Sequence, residues 1–138
     1  MSESRIHNAA LRSKIMSADE AAALIRPGDN VGMSGFTGSG HPKEVPQALA
    51  RRITAAANRG ESFRIGLLTG ASTAPELDGA LFKANGVSMR LPYQSDPDGR
   101  NRINSGDAYY IDAHLSEVAQ NTVWGHYGKL DVAVIEIV

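Results

Sequence analysis

The chain has no cysteine. That excludes a disulfide framework, a thiolate zinc site and a cysteine nucleophile, and it fits a cytoplasmic protein. An excess of one charge is missing too: 14 basic residues stand against 15 acidic ones, a formal net charge of -1. With no basic block or stripe for a polyanion to follow, neither nucleic acid nor an anionic membrane is an expected partner. The first thirty residues are polar, with Arg5, Arg12 and Lys14 among them, and they lack the apolar core of a signal peptide. No run approaches the length of a membrane span. The four histidines, His7, His41, His114 and His126, show no i, i+4 pairing and have no acidic pair at ligand spacing beside them. No metal site is expected.

What is present fits one α/β domain of 138 residues, long enough to bury a single core. Ser17 followed by Glu20 forms a capping-box pattern ahead of Ala21–Ile25, and Pro27-Gly28-Asp29 closes that helix in a turn. Residues 1–16 read as an N-terminal extension or short helix. Asn30–Met33 reads as a short strand. Val45, Leu49, Ile53 and Ala56 recur at helical spacing within 42–58, with Gly60 as the stop. A second strand is expected over 63–69, a helix over 74–84 and a third strand over 87–91. Residues 92–107, rich in Pro, Asp, Asn, Gly and Arg, read mainly as loop. A helix over 114–124 and a strand over 130–138, apolar enough to be buried on both faces, complete the pattern.

Alternating strands and helices imply an open, mainly parallel, Rossmann-like sheet with helices on both faces. The sequence stops inside what reads as a central strand, so a longer parent chain is expected.

In such a sheet, ligands bind beyond the carboxyl ends of the strands, where helix N-termini point backbone N–H groups outward. Two small-residue loops fall there: Ser34 to Gly40 after the first strand, and Thr69 to Thr73 after the second. Glycine admits close approach to the main chain, and the hydroxyls of Ser34, Thr37, Ser39, Ser72 and Thr73 can donate to an anion. Two readings stand side by side: an oxyanion or carboxylate cradle, or plain tight turns built from the residues that turns favour. The spacing Gly35, Gly38, Gly40 does not match a dinucleotide fingerprint, and Gly128-Lys129 lacks the upstream glycine of a phosphate-binding loop.

Other residues also carry paired readings. His41 is a ligand contact or a solvated loop histidine. Asp96, Asp98, Arg100, Arg102 and Asp107 form a solvated mixed-charge patch, from which Arg100 or Arg102 could instead grip a carboxylate or phosphate. Tyr109, Tyr110 and Trp124 are expected to pack rather than to form a stacking platform.

Several separated motifs then narrow the choice. Ile25-Arg26-Pro27-Gly28-Asp29-Asn30-Val31, Gly35-Phe36, Gly40-His41-Pro42 and Ala48-Leu49 resemble the first strand-loop-helix of the class I coenzyme A transferases, with their G-F, three residues, then G-x-P. The runs SGFTGSGHPKEVPQALA, TGASTAPELDGAL, RNRIN and DAHLS are similar to one branch, the acetyl-CoA hydrolase and succinyl-CoA:acetate CoA-transferase family. The resemblance covers nearly the whole chain.

It implies a truncated N-terminal CoA-transferase domain, and an intact enzyme with two similar α/β domains and the active site between them. The implied substrates are an acyl-CoA and a small carboxylate, with coenzyme A entering as substrate thioester and no resident cofactor. The implied partner is the C-terminal domain of the parent chain, in a homodimer. A second-domain glutamate attacks the thioester, passes through an acyl anhydride and becomes a glutamyl-CoA thioester. Gly35, Phe36, Thr37, Gly38, Ser39 and Gly40, with Gly70, Ala71, Ser72 and Thr73, would line the first-domain side of the cleft. Glu3, Glu20, Glu44, Glu61, Glu76, Glu117 and Glu136 do not lie in the family's nucleophile motif. The chain alone is therefore expected to lack the catalytic residue. Two rival readings are a stand-alone anion- or nucleotide-binding module, and an interaction domain whose last strand pairs with another chain.

Overall fold

A computed structural model describes residues 6–137. Glu3, Arg5 and the last residue of the expected final strand, Val138, lie outside the described residues.

The short helix α1 (Ala9–Arg12) begins at Asn8, whose side chain accepts from the Ala10 amide. Helix α2 (Ala18–Ala23) starts with both halves of the expected capping box: Ser17 accepts from the Glu20 amide, and Glu20 accepts from the Ser17 amide. Strand β1 (Asn30–Met33) and helix α3 (Glu44–Asn58) follow. Then come β2 (Ile65–Leu68), a π-helical turn (Pro75–Gly79) that runs into α4 (Ala80–Lys83), and β3 (Val87–Leu91). The last elements are α5 (Pro97–Asn104), β4 (Tyr109–Tyr110), α6 (Leu115–Val123) and β5 (Val132–Val134).

The strands form one parallel sheet in the order β4-β3-β2-β1-β5. The four central residues of β2 are all buried, as befits a strand between two neighbours in a covered parallel sheet. Val31, Met33, Ile65, Leu67 and Val87 meet Leu49 and Ile53 of α3 and Leu81 and Phe82 of α4 in the main core. Arg52 ties α2 to α3: Nη1 donates to the carbonyls of Ala22 and Ile25, and the guanidinium lies 4.8 Å from the Phe63 ring centre. The opposite face is thinly covered. There α6, which buries no residue, stands over Gly32, Leu68 and Ala133.

Three expectations need correction. Residues 97–104 are helical, not loop: the Asp96 side chain accepts from the Gly99 amide, Pro97 occupies the first turn, and Gly99 is buried. An added Cβ at Gly99 would meet Phe82 at 2.6 Å, so this glycine serves helix packing and not a turn. The final strand is short and lies at the sheet edge, with Ile135 and Ile137 exposed, because only β1 pairs with it in this structure. Tyr109, Tyr110 and Trp124 are not packed inside: Tyr109 is 80% exposed and Trp124 62%.

At the amino ends of the strands, Arg64 and Arg102 converge on Asp107. The hydrogen bond from Arg102 is the main reason that the Asp107 carboxyl titrates below its ordinary range, and Arg64 adds to it. A lowered folded-state pKa stabilises the fold fully above the ordinary carboxylate range, and that stability is lost as pH falls through the lowered value. Asp107→Asn is therefore expected to flatten the fall in thermal midpoint between about pH 6 and about pH 3. A decline as steep as that of the unsubstituted chain would contradict this role.

Candidate functional site

The two small-residue loops lie side by side at the carboxyl ends of β1 and β2, and a third segment joins them after β3. Thr37 pairs with Ser72, and Ser72 with Gln94, so three single residues extend the parallel ladder past the ends of its strands. The Thr37 amide donates to the Ala71 carbonyl at 2.6 Å, and the Ser72 amide to the Tyr93 carbonyl at 3.1 Å. The loops thus behave as an outgrowth of the sheet.

Contact between the loops is backbone on backbone. An added Cβ at Gly70 would meet the Gly35 carbonyl oxygen at 2.5 Å, and one at Gly35 would meet the His41 Cβ at 2.7 Å. Gly35 also has φ +122, a conformation that side-chain-bearing residues avoid. Thr37 takes φ +53. Phe36, Thr37, Gly38, Ser39, Gly40 and Thr73 face solvent, whereas Ala71 and Ser72 are buried and Gly70 is partly so.

The hydroxyls divide accordingly. Ser34 Oγ donates to the Gly40 carbonyl and accepts from the Glu136 amide, so it braces the loop. Ser72 Oγ accepts from the Ala74 amide. Thr37, Ser39 and Thr73 are exposed. Helix α3 begins directly behind the first loop, and no side chain caps its N-terminus. Lys43, beside that end, donates to the His41 carbonyl and pairs with Glu136.

His41 is buried at 5% exposure, not solvated. Its Nε2 lies 3.5 Å from Glu76 Oε2, beyond a good hydrogen bond, and neither ring nitrogen has a hydrogen-bond partner.

The arginines named from sequence stand apart from the loops. Arg102 donates to the Phe82 carbonyl, to Asn85 and to Asp107, at the amino ends of the strands. Arg100 is exposed on α5. A groove of about 760 Å³ is also elsewhere: Ala50, Thr54, Ala80 and Ala84 line it between α3 and α4, and its charged members are Lys83 and an Arg51 already paired with Asp19. Size alone points away from the place where the loops converge. A cavity of about 220 Å³ bordered by Thr73, Ser95 and Asp96 opens beside the second loop. Among the described residues no cluster of His, Cys, Asp or Glu could hold a metal ion.

Arg90 and Gln94 were not singled out from sequence. Arg90 is wholly buried in β3 and pairs with Asp78 of the π-helical turn, Nε to Oδ1 at 2.9 Å. Its Nη2 donates to Thr69 Oγ1 at 2.7 Å, and its other bonds go to the Leu91 and Tyr93 carbonyls. Burial lowers the Arg90 pKa, and Asp78 opposes that shift. The one visible signal was a charged residue among the apolar Val87, Met89 and Leu91 of β3.

Residues 1–138 match the family described as the acetyl-CoA hydrolase/transferase N-terminal domain. The chain is 44% identical over 138 residues to a succinyl-CoA:acetate CoA-transferase of Clostridium kluyveri, covering 100% of this chain and 25% of that protein. It is 46% identical over 121 residues to a propanoyl-CoA:succinate CoA transferase of Escherichia coli, covering 88% and 25%. It is 36% identical over 142 residues to an acetyl-CoA hydrolase of Schizosaccharomyces pombe, covering 96% and 27%. The chain thus spans about a quarter of the length of these curated relatives. Among solved structures, RipA from Yersinia pestis shares the fold with a TM-score of 0.58 at 20% identity, over 87% of this chain and 28% of that one.

The loop geometry separates two glycine substitutions. Gly35→Ala forces a Cβ into His41 at an unfavourable φ and is expected to cost about 1–3 kcal/mol, whereas Gly38→Ala, with open space around it, leaves the thermal midpoint unchanged. Equal midpoints for the two variants would show that Gly35 does not close over His41 as described.

Proposed function

Because the chain belongs to the acetyl-CoA hydrolase/transferase N-terminal domain family, we propose that it forms the first-domain wall of an active site that moves coenzyme A between an acyl-CoA, acetyl or succinyl, and a carboxylate. The observation that carries this reading is the three-segment ladder Thr37–Ser72–Gln94 at the carboxyl ends of the strands, with an uncapped helix behind it. The ladder's own Thr37 and Ser72 amides are spent on bonds between the segments, so the part this surface plays in thioester chemistry falls to the exposed loop backbone at Gly38 and Gly40. Negative charge develops on a tetrahedral oxygen during acyl transfer, and fixed backbone N–H groups stabilise it without reorganising.

The nucleophile is supplied from outside this chain. In the proposed route a downstream glutamate attacks the acyl-CoA carbonyl and expels the CoA thiolate, leaving an acyl anhydride. The thiolate attacks the glutamyl carbonyl of that anhydride, the carboxylate leaves, and a glutamyl-CoA thioester remains. An incoming carboxylate reverses both steps, whereas water ends the cycle as hydrolysis. Four of the chain's seven glutamates have other occupations: Glu20 caps α2, Glu61 pairs with Arg59, Glu136 pairs with Lys43, and Glu76 lies against His41.

The test is exchange of labelled acetate into acyl-CoA. The chain alone is expected to be silent, and the chain joined to the downstream three-quarters of the Clostridium kluyveri relative is expected to exchange. Gly38→Val in that fusion should lower exchange by about tenfold or more, because its side chain fills the open space over the loop and displaces the acyl-CoA from its reacting position. Exchange by the chain alone, with a CoA adduct on one of its own glutamates by mass spectrometry, would overturn the proposal.

A further inference from the structure

The buried pair Arg90–Asp78 takes no part in the chemistry above, yet its hydrogen bonds end on the site. Arg90 is 0% exposed and Asp78 1%. A charge so deep in a small domain carries a desolvation penalty that only close pairing and satisfied hydrogen bonds offset. The partners of Arg90 are not scattered: they are Asp78, which follows the second loop; Thr69, which begins that loop; Leu91, at the end of β3; and Tyr93, whose carbonyl also receives the Ser72 amide. Thr69 Oγ1 passes the contact on by donating to the Gly70 carbonyl. The guanidinium therefore holds both ends of the 69–78 segment and the strand that Ser72 leans on.

We propose that Arg90 is a positioning residue, fixing the second loop through Thr69 and Tyr93 so that Ser72 and, through it, Thr37 present one rigid surface to the acyl-CoA. This inference rests on the transferase reading for its consequence in catalysis, but its structural half stands on the chain alone. The arrangement suits Arg and not Lys: a planar fork reaches a carboxylate, a hydroxyl and two carbonyls at fixed angles, which a single ammonium does not. Asp78 keeps Oδ2 without a hydrogen-bond partner, so the anchor is directed toward the guanidinium alone.

Thr69→Val removes the hydroxyl relay at nearly constant volume and leaves the Arg90–Asp78 pair in place. In the fusion with the Clostridium kluyveri relative, KM for acyl-CoA is expected to rise about tenfold with kcat changed less, since a loosened loop weakens ground-state and transition-state binding alike. Thr69→Ser, which restores the hydroxyl, is expected to bring KM back. In the 138-residue chain, hydrogen exchange should quicken at the amides of residues 70–73 but not in β1, β2 or α3. Should Thr69→Val fail to fold, Asp78→Asn retains an acceptor for Nε without the charge and is expected to move KM and loop exchange in the same direction. An unchanged KM with unchanged loop exchange overturns the inference, as does exchange that quickens evenly across the sheet. An inactive unsubstituted fusion would sink the transferase reading, and exchange at 70–73 would still decide whether Arg90 holds the loop.

Discussion

One ion pair with no access to water organises the carboxyl edge of this sheet. Arg90 and Asp78 meet where β3 nears its end and where the π-helical turn runs into α4, so two crossovers share one anchor. Burying both charges costs several kcal/mol per ion, and the cost is offset only while every donor finds an acceptor. The guanidinium meets that demand through Thr69 and two main-chain carbonyls. A pair of this kind contributes little to net stability compared with an apolar replacement. Its physical effect is specificity of arrangement, since any other path for the 69–73 loop leaves a buried guanidinium N–H without its Thr69 acceptor.

Around that anchor the sheet divides into a well-covered face and a bare one. Leu49, Ile53, Leu81 and Phe82 fill the covered side at full burial. On the other side glycines occupy β1 and β2, and α6 touches the sheet without burying a residue. The site grows from the junction of these unequal halves. Rigidity comes from the packed face, and the loops themselves supply polar backbone with open solvent above Gly38.

Much of this was legible in the residues. Ser17 and Glu20 announced α2 because a capping box is a local device, and Val45, Leu49, Ile53 and Ala56 announced α3 because periodicity reports a buried face. The position of the loops past the ends of β1 and β2 was legible because glycine-rich runs between a strand and a helix read as turns whether or not they bind anything. The errors share one cause, which is tertiary contact. Gly99 reads as a turn until Phe82 is seen against it. The 130–138 run reads as an interior strand because apolarity does not say how many neighbours a strand has. His41 reads as a surface residue because nothing local reveals that Gly35 closes over it. Arg90 was the hardest, since its partner Asp78 lies twelve residues away and only the fold brings them together.

The brace at Ser34 has a mechanical meaning. Its hydroxyl receives the Glu136 amide and donates to Gly40, and its amide reaches the Val134 carbonyl, while Glu136 grips Lys43 on the far side of the same loop. The segment leaving β5 is therefore tied to both shoulders of the glycine loop. A displacement of that segment is passed to both shoulders of the loop through bonds already made, so the sheet edge and the glycine loop are one mechanical piece.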